Sequence, residues 1–571
     1  MPDQTTPRPT RPSSAVDALA DAHVEAYAAL DPVDATAMGL PGHDAQMTDY
    51  SPDGEAARVD LARATLAQLD ALGPAAVTDD VDVVTVAAMR ERLGLEVELA
   101  DAGIGAGEIN VLASPLQGVR EVFDLMPVTT AQDWSVVADR LALVPSALAG
   151  YSAALLAACA DGRPPAARQV RAGVEQAEEF AAAGGFFADL AGGARPDGGA
   201  PSPALASDLA RGAQAAAGAY ADLARVLREE VSPRAREEDA CGREEYALRS
   251  RSFVGAAVDL QETYAWGLEE VARIEAEMAD VAQQVRPGAT PEEAIALLDA
   301  DPARQLADSD AFRTWMQDLS DRAVEEMGRE HFDIPAPLRT LECRIAPSSS
   351  GAIYYTGPSE DLTRPGRMWF SVPTGQTSFT TWLDTTTVFH EGVPGHHLQI
   401  GHALLRTDVL NRWRRTMAWS SGYGEGWALY AERLMAELGH LDDPGDRMGM
   451  LVGSVLRASR VVVDIGLHCG FRAPEEVGGG TWDADAMWRY LTLHARQEEP
   501  TRRFEHLRYL GWPGQAPSYK VGERLWLQMR DEARAREGEA FSLKDFHRRA
   551  LDLGAVGLDV LRDALAAPDR G

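Results

Sequence analysis

The stretch TTTVFHEGVPGHHLQIGH (385–402) is the most informative part of the chain for both its fold and its chemistry. His390-Glu391 begins a pattern close to HExxH, the helical zinc motif in which two histidines four residues apart share one helical face. Here the fourth residue after His390 is a proline, which cannot bind a metal, and the next histidines are His396 and His397. The stretch therefore predicts a metal motif of the same kind with a longer spacing.

A regular helix does not bring these histidines together, so the sequence predicts that the helix is interrupted. At about 100° per residue, the sixth and seventh positions after His390 lie on another face or a further turn along. Pro394 lacks an N–H group and collides with the carbonyl of His390, and Gly395 beside it permits unusual backbone angles. A bulge or kink here returns His396 to the face of His390. We predict these two histidines as ligands, with His397 as the alternative that otherwise lines the pocket.

A catalytic zinc with an open coordination position needs a third protein ligand. The segment SGYGEGWALYAERL (421–434) offers Glu425 at the start of a predicted helix. An acidic residue there is also favoured by the helix dipole alone. With the histidine cluster upstream, we favour the ligand hypothesis for Glu425. Glu432, two turns further along the same face, is predicted to support a ligand by a hydrogen bond.

The sequence pattern changes from helical to strand-like just before this motif. LRTLECRIAPSSSGAIYYTGP (338–358) and GRMWFSVPTG (366–375) are rich in β-branched and aromatic residues and are bounded by Gly and Pro. They predict two or three short strands in one small sheet, of which RMWFSVP offers an edge to an extended peptide. Tyr355 is a candidate to flank the cleft, although a core or rim aromatic residue explains it equally well.

The remaining chain shows helical spacing almost throughout, which predicts a mainly α fold with a deep cleft and one small sheet before the motif helix. We predict a flexible tail at 1–14, an N-terminal helical region at 15–240 and a catalytic region at 241–571, packed as one body. After the strands, the predicted helices cover 383–407, 424–438, 443–469, 483–497, 518–536 and 542–566.

Composition excludes some classes of function. Among 571 residues, 54 Lys and Arg face 88 Asp and Glu, a formal net charge of −34. Such a surface repels phosphate backbones and anionic lipids, so we predict no nucleic-acid and no membrane partner. No unbroken apolar run reaches the ~18 residues of a membrane helix, and no secretory signal is evident. Four scattered cysteines without a CxxC predict a reducing cytoplasm. The sequence does not indicate an oligomeric state.

Two motifs resemble a known family. FHEGVPGHHLQ (389–399) and GEGWALYAE (424–432) resemble the bacterial domain-of-unknown-function family 885, as do RVVVDIGLH (460–468), PGQAPSYKVG (513–522) and FSLKDFHRRALDLG (541–554). The resemblance covers most of the chain and is strongest from about residue 340 onward. The family is similar in fold to the carboxypeptidase Taq family of zinc peptidases, whose third ligand lies in a downstream helix. The resemblance implies a metallopeptidase-like hydrolase and supplies no substrate.

Roles for single residues follow from this hypothesis. One Zn²⁺ per chain fits two histidines and a glutamate best, and other divalent ions also suit such ligands. Glu391 is the predicted general base, which takes a proton from water and passes it to the leaving amine. Tyr519 is the candidate donor to the oxyanion, although a buried tyrosine with a satisfied hydroxyl is an equal alternative. Lys520 and Arg508 are candidates to hold a substrate carboxylate.

The predicted function is zinc-dependent cleavage of short peptides, of the carboxypeptidase or dipeptidase type, with a peptide or small amide as the substrate. Two alternatives use the same residues. One is hydrolysis of a non-peptide amide or a specialised metabolite. The other is a protein on the same fold that binds metal or peptide without turnover.

Overall fold

The structure is a computed structural model in which helices make up 68% of the chain. This confirms the prediction of a mainly α fold. The first ten residues of the predicted tail lie outside the described residues, and the predicted domain boundaries stay a prediction. The structure describes residues 11–105, 107–346, 353–359, 362, 364–373, 375–376 and 378–567.

The N-terminal helices begin at residues suited to cap them. Ser14 accepts a hydrogen bond from the backbone N–H of Asp17, whose carboxylate accepts one from Ser14 in return. Thr130 and Asp133 form the same reciprocal box, which satisfies N–H groups that the first turn leaves free. The helices are α1 (Ala15–Leu30), α2 (Pro32–Ala37), α3 (Pro52–Leu72), α4 (Asp80–Asp101), α5 (Pro115–Leu125), α6 (Ala131–Leu141), α7 (Val144–Ala160), α8 (Ala167–Phe180), α9 (Phe186–Gly192) and α10 (Pro203–Val226).

The second half continues with helices on both sides of the sheet strands. Before the strands lie α11 (Arg243–Val254), α12 (Leu260–Val285), α13 (Pro291–Ala300) and α14 (Ser309–Glu330). After them come α15 (Thr385–Glu391), α16 (His396–Leu405), α17 (Arg412–Thr416), α18 (Ser421–Glu437), α19 (Pro444–His468), α20 (Ala484–His494), α21 (Glu499–Gly511), α22 (Ser518–Glu537), α23 (Leu543–Asp552) and α24 (Leu558–Ala566).

Three differences from the sequence prediction stand out among the C-terminal helices, one of which is the short helix α17, which was not predicted. The helix predicted at 542–566 is broken into α23 and α24, where Gly554 adopts a φ of +66° after the last turn of α23. Helix α21 was not predicted, although Pro500 lies in its first turn, where the missing N–H costs nothing.

The strands form two small sheets. They are β1 (Gln305–Leu306), β2 (Leu341–Ile345), β3 (Ile353–Thr356), β4 (Gly366–Phe370) and β5 (Phe379–Thr380). The three-stranded sheet has the order β2-β4-β3, with β4 parallel to β2 and antiparallel to β3. Because β4 is paired on both sides, the prediction that it offers a free edge to a peptide is wrong. The two-residue pair β1-β5 is a second sheet that the sequence did not predict.

The predicted interruption of the motif helix is present. Helix α15 ends at Glu391 and α16 begins at His396, with a Val393–Pro394 cis peptide between them. The indole N–H of Trp427 on α18 donates to the carbonyl oxygen of Pro394 at 2.9 Å. A Cβ at Gly395 would lie 1.9 Å from the carbonyl oxygen of His390, so only glycine fits this close approach.

Glycines also set the contact between α18 and α22. A Cβ on Gly426 would lie 2.5 Å from the carbonyl carbon of Gly522, and one on Gly522 would lie 2.5 Å from the carbonyl oxygen of Gly422. The two backbones therefore touch without an intervening side chain. This contact fixes the position of the first turn of α22 relative to the turn of α18 that carries Glu425.

The apolar core has a main cluster and a second cluster in the N-terminal region. The main cluster joins α1, α3 and α4 to the helices from α11 onward, and α19 packs in it along α12. The second cluster is built mainly from α5 to α10. A smaller cluster, with Phe312, Phe370 and Phe379 in contact, underlies the sheet beside α15. The metal-motif helix thus lies between the small sheet and the main helical core.

One stretch, Ala131–Ala160, is long and apolar enough to cross a membrane by length and mean composition, although polar residues interrupt its apolar run. It consists of α6 and α7, separated by a turn, and 44% of its most apolar window is buried. Its buried residues, such as Trp134 and Leu148, belong to the second apolar cluster. Core helices of water-soluble proteins pass the same test, so this stretch is weak evidence for a span.

The close approach at Gly395 predicts a clear effect on stability. We expect Gly395→Ala to lower the free energy of unfolding by about 1–3 kcal/mol, because backbone atoms cannot move aside for the new methyl group. The matched control is Gly94→Ala in the middle of α4, where a Cβ meets nothing within 4 Å. We expect this control to gain about 0.5–1 kcal/mol, since alanine favours a helix. Urea unfolding followed by circular dichroism measures both, and equal stability of the two variants would contradict the described contact.

Candidate metal centre

Three side chains from three helices meet beside the interrupted helix. His390 comes from the last turn of α15, His396 from the first residue of α16, and Glu425 from α18. Among the described residues they are the one group of three His, Cys, Asp or Glu side chains placed to hold a metal ion, with ligand atoms within 4.8 Å of one another. The structure thus brings together His390, His396 and Glu425, which the sequence singled out as ligands.

The distances suit one ion. Glu425 Oε2 lies 3.3 Å from His390 Nε2 and 3.6 Å from His396 Nε2. Tetrahedral zinc bonds of about 2.0–2.1 Å place neighbouring ligand atoms about 3.3 Å apart. The two imidazole rings stand nearly perpendicular, at 88°, with centroids 4.9 Å apart, and the Nε2 atoms of both rings lie close to the same carboxylate oxygen. This donor set, two imidazoles and a carboxylate, therefore fits zinc or a similar divalent ion.

Glu432 holds the first of these rings from behind. Its carboxylate accepts from His390 Nδ1 at 2.8 Å and from the Thr386 hydroxyl, and its side chain is 4% exposed. A hydrogen bond on Nδ1 leaves Nε2 of the same ring free for a metal. The predicted supporting role of Glu432 agrees with this contact.

The carboxylates also determine the charge of the metal-free site. Burial alone would lower the pKa of His390, but its hydrogen bonds to Glu425 and Glu432 outweigh burial and raise that pKa to about 10. Burial would likewise raise the pKa of Glu425, but the two histidines hold it well below its usual range. In the metal-free site, a proton on His390 therefore supplies the positive charge that a bound metal ion would otherwise supply.

Glu391 lies beside the cluster without taking part in it. The residue is 7% exposed, and its carboxylate has no hydrogen-bond partner among the residues that the structure describes. Burial raises the pKa of Glu391, while His390 and His396 oppose that rise. A buried carboxylate with free lone pairs next to a metal cluster is suited to exchange a proton with a ligand there.

His397 points away from the cluster. Its Nδ1 lies 2.9 Å from the Tyr355 hydroxyl on β3, and its Nε2 lies 2.9 Å from the carbonyl oxygen of Leu338. Burial lowers the pKa of His397 to about 4, so the ring is neutral. Of the two alternatives for the second ligand, the geometry therefore favours His396. His397 and Tyr355 instead connect the start of α16 to the sheet.

Tyr519 lies near the cluster in the first turn of α22. Its ring stacks against the guanidinium of Arg460, 4.8 Å from the ring centre. Burial and the charge of Glu425 raise the pKa of Tyr519. The residue is only partly buried, and no described residue forms a hydrogen bond with its hydroxyl. The hydroxyl is thus protonated and available as a donor on the Glu425 side of the site.

The two predicted carboxylate-binding cations are engaged elsewhere. The ammonium of Lys520 contacts Ser454 at 2.9 Å and lies 3.2 Å from a carboxylate oxygen of Glu270. Arg508 donates to Glu505 at 3.1 Å and to Gln515 at 2.6 Å. These contacts do not support the predicted substrate-binding roles, because both cations already have partners within the protein.

Sequence reasoning missed Arg457 on α19. Its closest carboxylate oxygen among the described residues belongs to Glu432, at 3.9 Å from Nη2. The only signal in the sequence is an arginine within the apolar run of α19, which becomes informative once the packing of α19 against α15 is known.

A family model matches residues 32–565 of the chain, under the description "Bacterial protein of unknown function (DUF885)". The chain belongs to the DUF885 family. Two solved structures share this DUF885 fold. The first is a protein from Colwellia psychrerythraea that is provisionally described as a lipoprotein. It is 22% identical in sequence and has a TM-score of 0.82, and the match covers 96% of this chain and 98% of that protein. The second is a protein from Shewanella oneidensis that is provisionally described as a lipoprotein of unknown function. It is 16% identical in sequence and has a TM-score of 0.72, and the match covers 97% of this chain and 100% of that protein. No curated protein matches the chain.

These comparisons correct the predicted location of this DUF885 protein. Both solved relatives are described as lipoproteins, a class of protein anchored in the cell envelope, so the prediction of a cytoplasmic location is wrong. That prediction rested on four scattered cysteines. All four are free in the structure, but a protein without disulfides is not confined to a reducing compartment.

Glu432 predicts a test of metal binding. We expect Glu432→Gln to weaken zinc binding about 10- to 100-fold, because a neutral amide orients and polarises His390 less well than a carboxylate. Glu437→Gln is the matched control on the same helix, since Glu437 pairs with Arg530 away from the cluster. Competition with a chelator of known affinity measures both constants, and equal affinities for the two variants would exclude this role.

The raised pKa of His390 predicts that zinc and protons compete. Below about pH 10 the metal-free ring is protonated, and zinc binding requires the neutral ring, so each ion bound releases a proton. We expect zinc affinity to rise about tenfold per pH unit through the neutral range, with no further rise from this group above its pKa. Calorimetry in buffers of different ionisation enthalpy measures how many protons are released for each zinc ion bound. Uptake of protons on zinc binding, or no change in bound protons, would contradict the prediction.

Proposed function

We propose that this protein is a zinc-dependent hydrolase that cleaves short peptides. The observation that carries the proposal is the buried carboxylate of Glu391, which accepts no hydrogen bond from any described residue and lies beside the His390, His396 and Glu425 cluster. A structural metal site has no need of a free carboxylate next to it. A hydrolytic site needs one, to move a proton between water and the leaving group.

His390, His396 and Glu425 would hold the ion and leave a coordination position open. When bound, zinc supplies Lewis acidity that lowers the pKa of a water molecule and polarises a carbonyl. Three protein ligands instead of four are typical of catalytic zinc, whereas structural sites are closed by a fourth. The donor set therefore favours catalysis over a purely structural role.

Glu391 is placed to act as the base. Burial moves the pKa of Glu391 towards neutral pH, which suits a group that must first accept a proton and then release it. In peptide hydrolysis it takes a proton from water as the oxygen adds to the carbonyl carbon. It then gives the proton to the nitrogen as the C–N bond breaks.

Tyr519 is the proposed donor to the developing oxyanion. The hydroxyl is protonated because burial and Glu425 raise its pKa, and Arg460 fixes the ring by stacking on it. A preorganised donor acts most strongly in a site from which water is largely excluded. The charge of Glu425 acts on this hydroxyl, which supports its assignment to the neighbourhood of the metal ligands.

Peptides are the proposed substrate because of the motif resemblance. The lengthened HExxH and the downstream glutamate resemble the arrangement of the carboxypeptidase Taq family, and the proposal takes its substrate class from that family. The preference for short peptides of the carboxypeptidase or dipeptidase type is part of the same proposal.

Glu391 gives the sharpest test of hydrolysis. We expect Glu391→Gln to lower kcat by about 10²- to 10⁴-fold, since the amide cannot accept the proton. Zinc content should be unchanged, because Glu391 is not a ligand. Turnover of a short-peptide library by the zinc-loaded protein, with zinc measured by elemental analysis, gives both readouts. The control is Glu437→Gln, and full turnover by Glu391→Gln would eliminate the proposed base.

Tyr519 is tested separately. We expect Tyr519→Phe to lower kcat by about 10²-fold with little change in KM, since the hydroxyl is needed mainly in the transition state. Stacking on Arg460 is retained by phenylalanine, so a structural role would leave kcat intact. A larger KM with an unchanged kcat would instead assign Tyr519 to ground-state binding.

A further inference from the structure

Arg457 projects from α19 towards the candidate metal centre. Helix α19 packs against both α15 and α22, the helices that carry Glu391 and Tyr519. The Arg457 side chain is one-fifth exposed, whereas Glu432 beside it is buried. The positive charge of Arg457 acts on Glu391 and on Tyr519. The guanidinium therefore lies beside Glu432 and within electrostatic range of the proposed base and the proposed oxyanion donor.

The guanidinium of Arg457 has no hydrogen-bond partner among the residues that the structure describes. Its Nε is buried and unpaired, and the contact of 3.9 Å to Glu432 is too long for a hydrogen bond. The oxygen at that distance already accepts from His390. A buried donor without a partner costs free energy, so the fold is expected to satisfy it with something else.

The neighbouring Arg460, in contrast, has the hydrogen-bond partners expected of an arginine with a structural role. Arg460, one turn further along α19, donates to the Tyr509 hydroxyl at 2.7 Å and to Glu505 at 2.9 Å. Its side chain is 9% exposed and stacks on Tyr519. Arg460 is thus engaged in holding Tyr519, whereas Arg457 keeps donors that no described residue accepts from.

The charge of a side chain beside the site determines which end of a peptide it can bind. A substrate held by its α-amino group would need a carboxylate that has no other role. Glu425 faces the two histidines, Glu432 is held by His390 and Thr386, and Glu391 is the proposed base. A substrate held by its α-carboxylate needs a guanidinium, which binds carboxylate through two parallel hydrogen bonds. The charge at Arg457 therefore favours the carboxyl end.

We infer that Arg457 binds the free α-carboxylate of the substrate, which makes the protein an exopeptidase that removes residues from the carboxyl end of short peptides. This inference rests on the proposed function. Water adds to the carbonyl carbon of the last peptide bond, the C–N bond breaks, and the proton that Glu391 took from water goes to the nitrogen of the released amino acid. Arg457 itself exchanges no proton.

The test compares each substrate in two forms. A library of N-acetylated tetrapeptides is prepared as free acids and as C-terminal amides, and cleavage by the zinc-loaded protein is followed by mass spectrometry. We expect kcat/KM for the acids to exceed that for the amides by about 100-fold, the usual value of a paired charged hydrogen bond. Arg457→Met should abolish this ratio by lowering turnover of the acids alone, and Arg457→Lys should retain part of it.

The matched control is Arg447→Met, since Arg447 lies on the same helix and pairs with Glu277 away from the site. Zinc content, measured for each variant, excludes loss of the metal as the cause. Equal loss of acid and amide turnover in Arg457→Met would show that Arg457 acts only through Glu432 or Glu391, and would overturn the inference. So would a wild-type protein that cleaves both forms equally well.

A second measurement separates this inference from the proposed function. Zinc-loaded Glu391→Gln protein and the double variant with Arg457→Met are each incubated with the acid and amide libraries, and retained peptides are identified after rapid gel filtration. Retention of acids over amides, lost in the double variant, supports the carboxylate site even if no peptide is turned over. Equal retention, or none, overturns it whatever the activity.

Discussion

The interruption between α15 and α16 is the constraint on which the rest of the site depends. A continuous helix would turn His396 away from His390, and no third ligand could then complete a cluster. The break is stabilised by the indole of Trp427, which donates to the carbonyl of Pro394 at 2.9 Å. Because Trp427 lies two residues after Glu425, one helix supplies both the group that stabilises the break and the carboxylate that completes the donor set.

The second constraint is electrostatic. Glu391 and Glu432 are buried and Glu425 is partly buried within one small region, and such carboxylates are tolerated only where positive charge compensates them. In the metal-free protein a protonated His390 lies between Glu425 and Glu432 and provides part of this charge. A divalent ion would take over that role, while the charge of Arg457 is fixed. The site is therefore built around a position that must hold a positive charge in every state.

Local rules were sufficient to predict the centre of the site. The Pro-Gly pair predicts the interruption because both residues weaken a helix interior, and a seven-residue spacing places Glu425 and Glu432 on one face. The choice between His396 and His397 needed the structure, since it depends on how Tyr355 and Leu338 approach from the sheet.

Long-range packing could not be predicted in the same way. Lys520 contacts Glu270 on another helix and Arg508 contacts Gln515 in the following turn, and no local pattern specifies these contacts. Each cation also pairs with a glutamate three residues away on its own helix, which sequence spacing alone could have indicated. Arg457 was missed for the same reason, because its meaning depends on the packing of α19 against α15. The position of β4 in the middle of its sheet follows from a parallel pairing with β2 that no local pattern specifies.

The glycine contact between α18 and α22 has a consequence for how such a protein can diversify. Where two backbones touch, there are no side chains whose rotamers could absorb a small shift, so Glu425 and Tyr519 must move together or not at all. Changes in what the site accepts are then expected at positions where side chains, and not backbones, make the contacts, such as Arg457 on α19. The α18–α22 contact leaves no such position, because glycines make it on both helices.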